Sequence, residues 1–300
     1  ETLAQNASIL WRRFGMLRAG SLAAHVSTQL YAAKALCNLA CNEECALTLL
    51  AHGKVKDFIV IAILRTNNEE VKAVCAECLF NLLGFEKCRT EMIKESVLWA
   101  LIKLFRVESE RTQRIGALVV YNLSCPDSSE TAKTVMDIGV TQTLSAVVKQ
   151  PSVETKFWAA AALCNLSWDL AYAARLVQEG AVSVLRELLT STDASSRAGA
   201  DDRNDEIYLQ CVTALYNMAQ GSGKTDEKLV EDGAVPLLES LLETTDPTIL
   251  ELACVALYNI STVEECDVQM VEDQVASCLM KVLLRFTPPL DAEGFEPDQT

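Results

Sequence analysis

Apolar residues recur along this chain in blocks, and one block is repeated six times with an asparagine at the same place in each copy. The first copy reads Ala-Leu-Cys-Asn-Leu-Ala and the fourth reads Ala-Leu-Cys-Asn-Leu-Ser. Large apolar side chains flank the asparagine at helical spacing, which is typical of an α-helix buried on one side. The asparagines are Asn38, Asn81, Asn122, Asn165, Asn217 and Asn259, separated by 43, 41, 43, 52 and 42 residues.

Four of the intervals between these asparagines contain a glycine followed by a second apolar segment. Glycine readily adopts the positive φ required where one helix ends and the next leaves at a sharp angle. The pattern predicts a unit of a short helix, a glycine turn, a second helix and a longer third helix that carries the asparagine. The longest interval contains a polar stretch without apolar periodicity, and we predict an inserted loop over residues 192–206. The glycines are Gly53, Gly139, Gly180 and Gly233.

Each long helix also carries small residues three and six positions before its asparagine. Small side chains at this spacing let neighbouring helices approach closely, so we predict that the long helices pack against one another. The residues are Ala35, Cys78, Val119, Ala162, Ala214 and Ala256, and Ala32, Cys75, Gly116, Ala159, Cys211 and Ala253.

Together, the period, the glycine position, the Ala/Leu spacing and the asparagine in every unit resemble the armadillo repeat. HEAT repeats share the period but lack an asparagine in every unit. The resemblance covers about residues 10–286 and implies an all-α, right-handed superhelix of about six repeats, with the solenoid over residues 1–286. Residues 287–300 are rich in Pro, Asp and Glu, and we expect a disordered tail there.

The six asparagines, here called the Asn row, are the main candidates for ligand binding. Asparagine forms helices poorly and is costly to bury, so its recurrence indicates a role beyond packing. Its amide offers a donor and an acceptor, and a row of amides can bind the backbone of an extended peptide. In armadillo proteins these residues line the inner groove, and the resemblance implies the same role here. The alternative is that each asparagine only ties one repeat to the next.

Neighbouring positions on the same helix faces would select the ligand, because one hydrogen bond contributes only about 1 kcal/mol net. Phe157 and Trp158 are the best candidates for an aromatic hot spot, with core packing of Trp158 as the alternative. Besides the Asn row, the predicted peptide-binding residues are Lys34, Glu77, Arg114, Phe157, Trp158, Gln210 and Glu251.

Two armadillo classes differ from this chain at the groove positions. Importin-α-type proteins carry Trp four residues before the asparagine in several repeats. β-Catenin-type grooves are strongly basic, whereas the predicted groove mixes basic residues with glutamates. A general nuclear-import role or a catenin-type role is therefore not favoured. The residues four positions before the asparagines are Lys34, Glu77, Leu118, Ala161, Thr213 and Val255.

Charge is distributed unevenly along the chain, whose net charge is -15. Residues 1–150 contain 17 Lys+Arg and 15 Asp+Glu, whereas residues 151–300 contain 9 and 26. Such an acidic surface repels phosphate backbones, which argues against general nucleic-acid binding, and it would attract basic protein segments toward the C-terminal half. The alternative is that the excess charge only aids solubility.

The sequence contains few candidates for catalytic or metal-binding residues. Most of the twelve cysteines lie in apolar helical segments, where we expect reduced thiols. Cys75 and Cys78 have the spacing of a zinc or redox pair but occupy packing positions. His25 and His52 have no recognisable Cys or Ser partner for nucleophilic chemistry. We therefore predict no catalytic residues, no metal site and no cofactor.

No apolar run reaches the roughly 18 residues that span a membrane, so direct membrane insertion is not predicted. We expect a cytoplasmic location, with nuclear or membrane association through a partner or a missing N-terminal anchor left open. The predicted function is a scaffold or adaptor that binds extended segments of other proteins. The alternatives are a substrate-recruiting segment of a larger regulatory enzyme, such as a ubiquitin ligase or an exchange factor, and a nuclear transport adaptor. The oligomeric state is not predicted.

Overall fold

A computed structural model of the protein was analysed. It describes residues 22–51, 55–92, 95–105, 109–125, 129–137, 139–149, 152–196, 202–221, 223–272 and 275–287. Every regular element in these ranges is helical, which confirms the all-α prediction.

The helices follow the predicted order of two shorter helices and one longer helix. Five complete units of this kind lie between a first long helix and a last partial unit. The long helices are α1 (Leu22–Leu39), α4 (Glu69–Gly84), α7 (Glu110–Ser124), α10 (Val153–Ser167), α13 (Asp202–Met218) and α16 (Pro247–Ser261). The shorter helices are α2 (Glu43–Ala51), α3 (Val55–Arg65), α5 (Glu86–Met92), α6 (Glu95–Phe105), α8 (Ser129–Asp137), α9 (Val140–Val147), α11 (Leu170–Gln178), α12 (Ala181–Ser196), α14 (Gly223–Glu231), α15 (Ala234–Leu241), α17 (Asp267–Glu272) and α18 (Val275–Phe286), with a 3₁₀ turn at Glu264–Cys266.

Polar side chains start several long helices by accepting backbone hydrogen bonds that no helical carbonyl can accept. Asn68 accepts from the backbone nitrogen of Val71 at 2.9 Å at the start of α4. Asp246 caps α16 in the same way, and Pro247 follows at the first helical position, where its fixed φ is already helical. The start of each of these helices is therefore encoded locally.

The predicted glycine turns are confirmed at three positions. Gly139, Gly180 and Gly233 have φ values of 70°, 84° and 80°, in the left-handed region that other residues rarely adopt. Each precedes the second helix of its unit. Gly53, the fourth predicted position, lies outside the described residues.

The long helices pack side by side in chain order, and α1, α4, α7, α10, α13 and α16 form one continuous layer. The predicted small residues are buried there, apart from Ala35, which is exposed on α1. At Gly116 a β-carbon would lie 3.2 Å from the ring of Phe105, so the absence of a side chain lets α6 approach α7 closely.

The structure differs from the predicted inserted loop at residues 192–206. Helix α12 continues to Ser196 and α13 begins at Asp202, so both ends of the predicted loop are helical. Residues 197–201, between these helices, lie outside the described residues. The same holds for residues 1–21 and for residues 288–300 of the predicted tail.

Candidate functional site

The predicted binding residues all lie on the layer of long helices, whose solvent-facing side is here called the long-helix surface. Lys34 lies on α1, Glu77 on α4 and Arg114 on α7. Phe157 and Trp158 lie on α10, Gln210 on α13 and Glu251 on α16. Each repeat thus contributes to one continuous surface.

Members of the Asn row differ in exposure. Asn38 is exposed, whereas Asn81, Asn122, Asn165 and Asn259 are half-buried. Asn217 has only 3% of its side chain exposed. A ligand could therefore reach five of the six amides directly.

Three amides of the Asn row contact the preceding repeat. The Nδ2 atom of Asn165 lies 3.4 Å from the Ser124 hydroxyl, and that of Asn217 donates to the Ser167 hydroxyl at 3.0 Å. Asn81 donates to the carbonyl oxygen of Cys37 at 3.3 Å. These contacts are the inter-repeat ties considered as the alternative role of the row. They also orient each amide, since one N–H is directed at the neighbouring unit.

Ion pairs join the first four long helices across the long-helix surface. Lys34 contacts Glu70 at 3.3 Å, Arg111 contacts Glu77 at 2.6 Å and Arg114 contacts Glu154 at 2.7 Å. In each pair the partners lie on adjacent long helices. The basic groove residues recognised in the sequence are therefore neutralised by acidic groups of the same surface.

The later long helices present acidic groups without such compensation. Glu206 on α13 and Glu251 on α16 are exposed, and neither forms an ion pair with any described residue. Gln210, on α13 like Glu206, is half-buried. The negative potential of the long-helix surface thus increases toward its C-terminal end.

Aromatic rings meet near the middle of the surface. The ring of Trp158 lies 4.9 Å from that of Tyr121 and 4.8 Å from that of Phe157, in tilted and edge-on arrangements. Phe157 and Trp158 are both partly buried against the core. The indole N–H of Trp158 is buried and has no hydrogen-bond partner among the described residues. Trp158 thus packs against the core while part of the residue remains exposed to solvent.

Tyr121 and three members of the ion pairs, Glu70, Arg111 and Glu154, were not among the site residues predicted from the sequence. The signal for Tyr121 is its position immediately before Asn122, which Tyr216 and Tyr258 also occupy in later units. The signal for the ion pairs is that opposite charges recur 36 residues apart at Lys34 and Glu70 and 34 residues apart at Glu77 and Arg111, somewhat less than one repeat.

Two buried thiols, those of Cys75 and Cys164, are adapted to packing rather than to nucleophilic chemistry. Burial raises the pKa of Cys75 to about 12 and that of Cys164 to about 11, so both remain protonated at neutral pH. Within the described ranges, no group of three or more Cys, His, Asp or Glu side chains could hold a metal ion. None of the described helices is long and apolar enough to cross a membrane.

Comparison with known proteins identifies the repeat. Residues 227–262 match the family model for the armadillo/beta-catenin-like repeat. Catenin delta-2 from Homo sapiens and from Mus musculus is 29% identical over 138 residues, which cover 45% of this chain. The match spans only 10% of the length of these curated relatives.

Solved structures of designed proteins share the fold. A computationally designed armadillo repeat protein for modular peptide recognition superposes with a TM-score of 0.65 at 23% identity, covering 78% of this chain and 93% of its own. An engineered protein reaches 0.63 at 27% identity, covering 79% and 91%. A designed armadillo repeat protein in complex with the peptide (KR)4 reaches 0.62 at 23% identity, covering 77% and 92%. The likeness confirms the predicted armadillo-type superhelix.

Proposed function

Because this chain is an armadillo-repeat protein, we propose that it is a scaffold or adaptor that binds extended segments of other proteins along the long-helix surface. The segments it prefers are basic and lie toward the C-terminal half of that surface. The armadillo-repeat fold itself supports a protein-binding role. The position and the charge of the ligand are inferred from the site.

The observation that carries the proposal is the hydrogen bonding of the half-exposed amides in the Asn row. Asn81 and Asn165 each direct the amide nitrogen at the preceding repeat. No described residue donates to the amide oxygen of either side chain, so this strong acceptor is available to the backbone N–H of a ligand. Regularly spaced acceptors of this kind suit an extended chain, whose N–H groups recur at a fixed interval. Asn217 is assigned to inter-repeat packing rather than to direct contact.

The preference for basic segments follows from the acidic side chains of the long-helix surface. On the first four long helices, Glu70, Glu77 and Glu154 are already paired with Lys34, Arg111 and Arg114. Glu206 and Glu251 remain exposed and uncompensated among the described residues, and residues 151–300 carry the excess of acidic groups. A basic ligand would neutralise these groups and would be steered toward them over about 8 Å at physiological ionic strength.

The designed relative that was solved with the peptide (KR)4 agrees with this preference, since its ligand is an alternating basic peptide. Its identity to this chain is 23%, so the comparison supports the kind of ligand rather than the contacts. The aromatic group of Tyr121, Phe157 and Trp158 offers apolar surface to the stems of long basic side chains.

The test is a titration of fluorescently labelled (KR)4 peptide, followed by fluorescence anisotropy, against the wild-type chain and Glu206→Gln/Glu251→Gln. Exposed charge pairs contribute about 0.2–1 kcal/mol each, so the double variant is expected to weaken binding roughly 2- to 30-fold. An acidic peptide of the same length should not bind measurably. Circular dichroism checks that the variant keeps its helical content.

The matched control is Glu227→Gln/Glu264→Gln, which removes two exposed carboxylates from the shorter elements of the last units and changes the net charge equally. Affinity for (KR)4 should stay near the wild-type value in this control. Equal weakening in both double variants would show that the peptide responds only to net charge, and the assignment of the site to the long-helix surface would be wrong.

A further inference from the structure

Two cysteines at the end of α1 share one hydrogen-bond donor. The amide nitrogen of Asn81 lies 3.5 Å from the sulfur of Cys37 and 3.2 Å from the sulfur of Cys41. The thiol of Cys41 also lies 3.4 Å from the carbonyl oxygen of Cys37, so its side chain is directed back along the helix. The two sulfur atoms are thus held on the same side of one amide.

This pair is specific to the first unit. Cys37 immediately precedes Asn38 and Cys41 follows it by three residues, and none of the other five units has cysteine at both positions. The third unit has cysteine only at the later position, Cys125, and the fourth has it only at the earlier one, Cys164. The arrangement is therefore not a general feature of the repeat.

A disulfide would require the two residues to approach more closely than regular helix geometry allows. Residues four apart on a helix have β-carbons about 5–6 Å apart, whereas a disulfide needs about 3.8 Å. Helix α1 ends at Leu39, so Cys41 lies in the following turn rather than in the regular helix. A small adjustment of this turn would close the distance without breaking the hydrogen bonds inside α1.

The two thiols differ in accessibility. Cys41 is exposed, whereas Cys37 is half-buried. The pKa of Cys37 is raised to about 11, first by burial and then by the charges of Glu77 and Cys41, which Arg111 partly offsets. An oxidant in solution would therefore react at Cys41, with Cys37 as the second thiol. Cys75 and Cys78 lie buried behind them and are shielded from the oxidant.

We propose that Cys37 and Cys41 form a redox-active dithiol that hydrogen peroxide converts to a disulfide. The sulfur of Cys41 attacks one peroxide oxygen, the O–O bond breaks, and hydroxide leaves, which produces a sulfenic acid. The thiol of Cys37 then loses its proton as its sulfur attacks the sulfur of Cys41, so that the S–S bond forms while the S–O bond breaks. The departing hydroxide takes up a proton. In total, two thiols and one hydrogen peroxide give one disulfide and two water molecules.

The oxidation itself does not require a bound peptide, but it changes the contacts of Asn81, which belongs to the proposed peptide-binding surface. Disulfide formation would draw the two sulfurs together and remove them from the amide of Asn81, whose other partner is the carbonyl oxygen of Cys37. The first inter-repeat contact of the Asn row would thereby respond to oxidation. Reduction by a thiol would restore the starting state.

The test maps thiols in the whole chain. The reduced protein is treated with hydrogen peroxide, unreacted thiols are alkylated, and tryptic peptides are analysed by mass spectrometry. Peptide 35–54 contains Cys37, Cys41 and Cys45. We expect this peptide to lose two hydrogen atoms, with Cys45 alkylated and the disulfide located between Cys37 and Cys41 by fragmentation. The result does not depend on any variant being folded.

Two variants and an internal control separate the steps. In Cys37→Ser the sulfenic acid of Cys41 should persist and be trapped by dimedone, whereas in Cys41→Ser the thiol at Cys37 should stay reduced. Cys125 is the control within the same sample, because it occupies the position of Cys41 without a second cysteine and should form no disulfide. A disulfide between Cys41 and Cys45 would overturn the proposal. Full alkylation of Cys37 and Cys41 in samples where Cys125 is already oxidised would also overturn the proposal.

Discussion

The side chains of Asn217 and Ser167 form a buried hydrogen bond that joins two consecutive repeats. The amide nitrogen of Asn217 on α13 donates to the hydroxyl of Ser167 at 3.0 Å, and that hydroxyl donates to the carbonyl oxygen of Cys164 at 2.7 Å within α10. Both side chains are buried. The Ser167 hydroxyl therefore forms hydrogen bonds both within its own helix and with the next repeat. The bond to Asn217 couples the two units.

Breaking this bond is expected to destabilise the solenoid from either side. Asn217→Ala or Ser167→Ala should each lower the free energy of unfolding by about 1–3 kcal/mol, because a buried polar group loses its partner. The double variant should lose less than the sum of the two, by roughly 1 kcal/mol. Urea unfolding followed by circular dichroism measures the cycle. Asn165→Ala removes a longer contact from a half-buried side chain, so it should lower the free energy of unfolding by less. Additive effects of the Asn217 and Ser167 substitutions would contradict the coupling.

Gly233 is expected to resist substitution. Its φ of 80° lies in the left-handed region, which costs other residues about 1–2 kcal/mol. A β-carbon there would lie 2.5 Å from the guanidinium of Arg186, which donates to the carbonyl oxygens of Asp232 and Gly233. Gly233→Ala should therefore lower the unfolding free energy by roughly 1–3 kcal/mol, as measured by urea titration.

The matched control for this prediction is Gly84→Ala at the end of α4. No atom lies within 4 Å of the β-carbon that would be added there, and its φ is not in the left-handed region. This substitution should be neutral or should stabilise the protein by up to about 1 kcal/mol, because alanine loses less backbone entropy on folding. Equal losses in the two variants would contradict the role assigned to the Gly233 turn.

Asp226 on α14 is expected to make stability depend on pH. It is 2% exposed, and one of its carboxylate oxygens is buried without a hydrogen-bond partner among the described residues. Burial raises the pKa of Asp226 from 3.8 to about 6. Because the unfolded chain releases this proton at lower pH than the folded chain, folding is penalised progressively between these two values and fully above about pH 6.

Asp226→Asn should therefore stabilise the protein at about pH 7.5, by up to about 3 kcal/mol, and by roughly half as much at about pH 5. Urea unfolding of the variant and the wild type at both pH values measures the difference. Glu227→Gln, which removes an exposed carboxylate from the same helix, should change stability little at either pH. If the stabilisation does not diminish toward pH 5, protonation of Asp226 is not its cause.

The ion pair between Arg111 and Glu77 gives a prediction that rests on the proposed function. Arg111→Gln leaves Glu77 without its partner, so affinity for the (KR)4 peptide should rise about 2- to 5-fold, as for one exposed charge pair. Stability should change by less than about 1 kcal/mol, because both side chains are partly exposed. Lys133→Gln on α8 changes the net charge equally and is the control for anisotropy titrations. Equal gains in both variants would argue against a ligand at this part of the surface.

Local signals in the sequence were enough to place the repeating helices. Gly139 and Gly233 mark turns because a positive φ strongly favours glycine, and Asp246-Pro247 marks a helix start because both residues suit that position. The loop at residues 192–206 was predicted from its lack of apolar periodicity, yet helices enter it from both sides. An exposed helix end needs no apolar face, and acidic residues such as Asp205 near a helix start favour the helix.

The binding surface was less predictable than the helices. All predicted site residues lie on the long helices, but their contacts depend on how helices from different repeats pack. Arg114 and Glu154 are 40 residues apart, and Asn217 is buried while Asn38 is exposed, although the two occupy the same position in their repeats. Spacing along one helix cannot distinguish these environments.

Amino-acid order alone dictates the helices, their turns and the recurrence of the Asn row, because each depends on interactions within about four residues or on the φ of a single glycine. Only the packing of one repeat on the next decides which charges neutralise each other, which amide is buried and which two thiols share a donor. Those properties arise from distances and solvent exclusion between helices that are distant in sequence. They therefore exist only once the solenoid has formed.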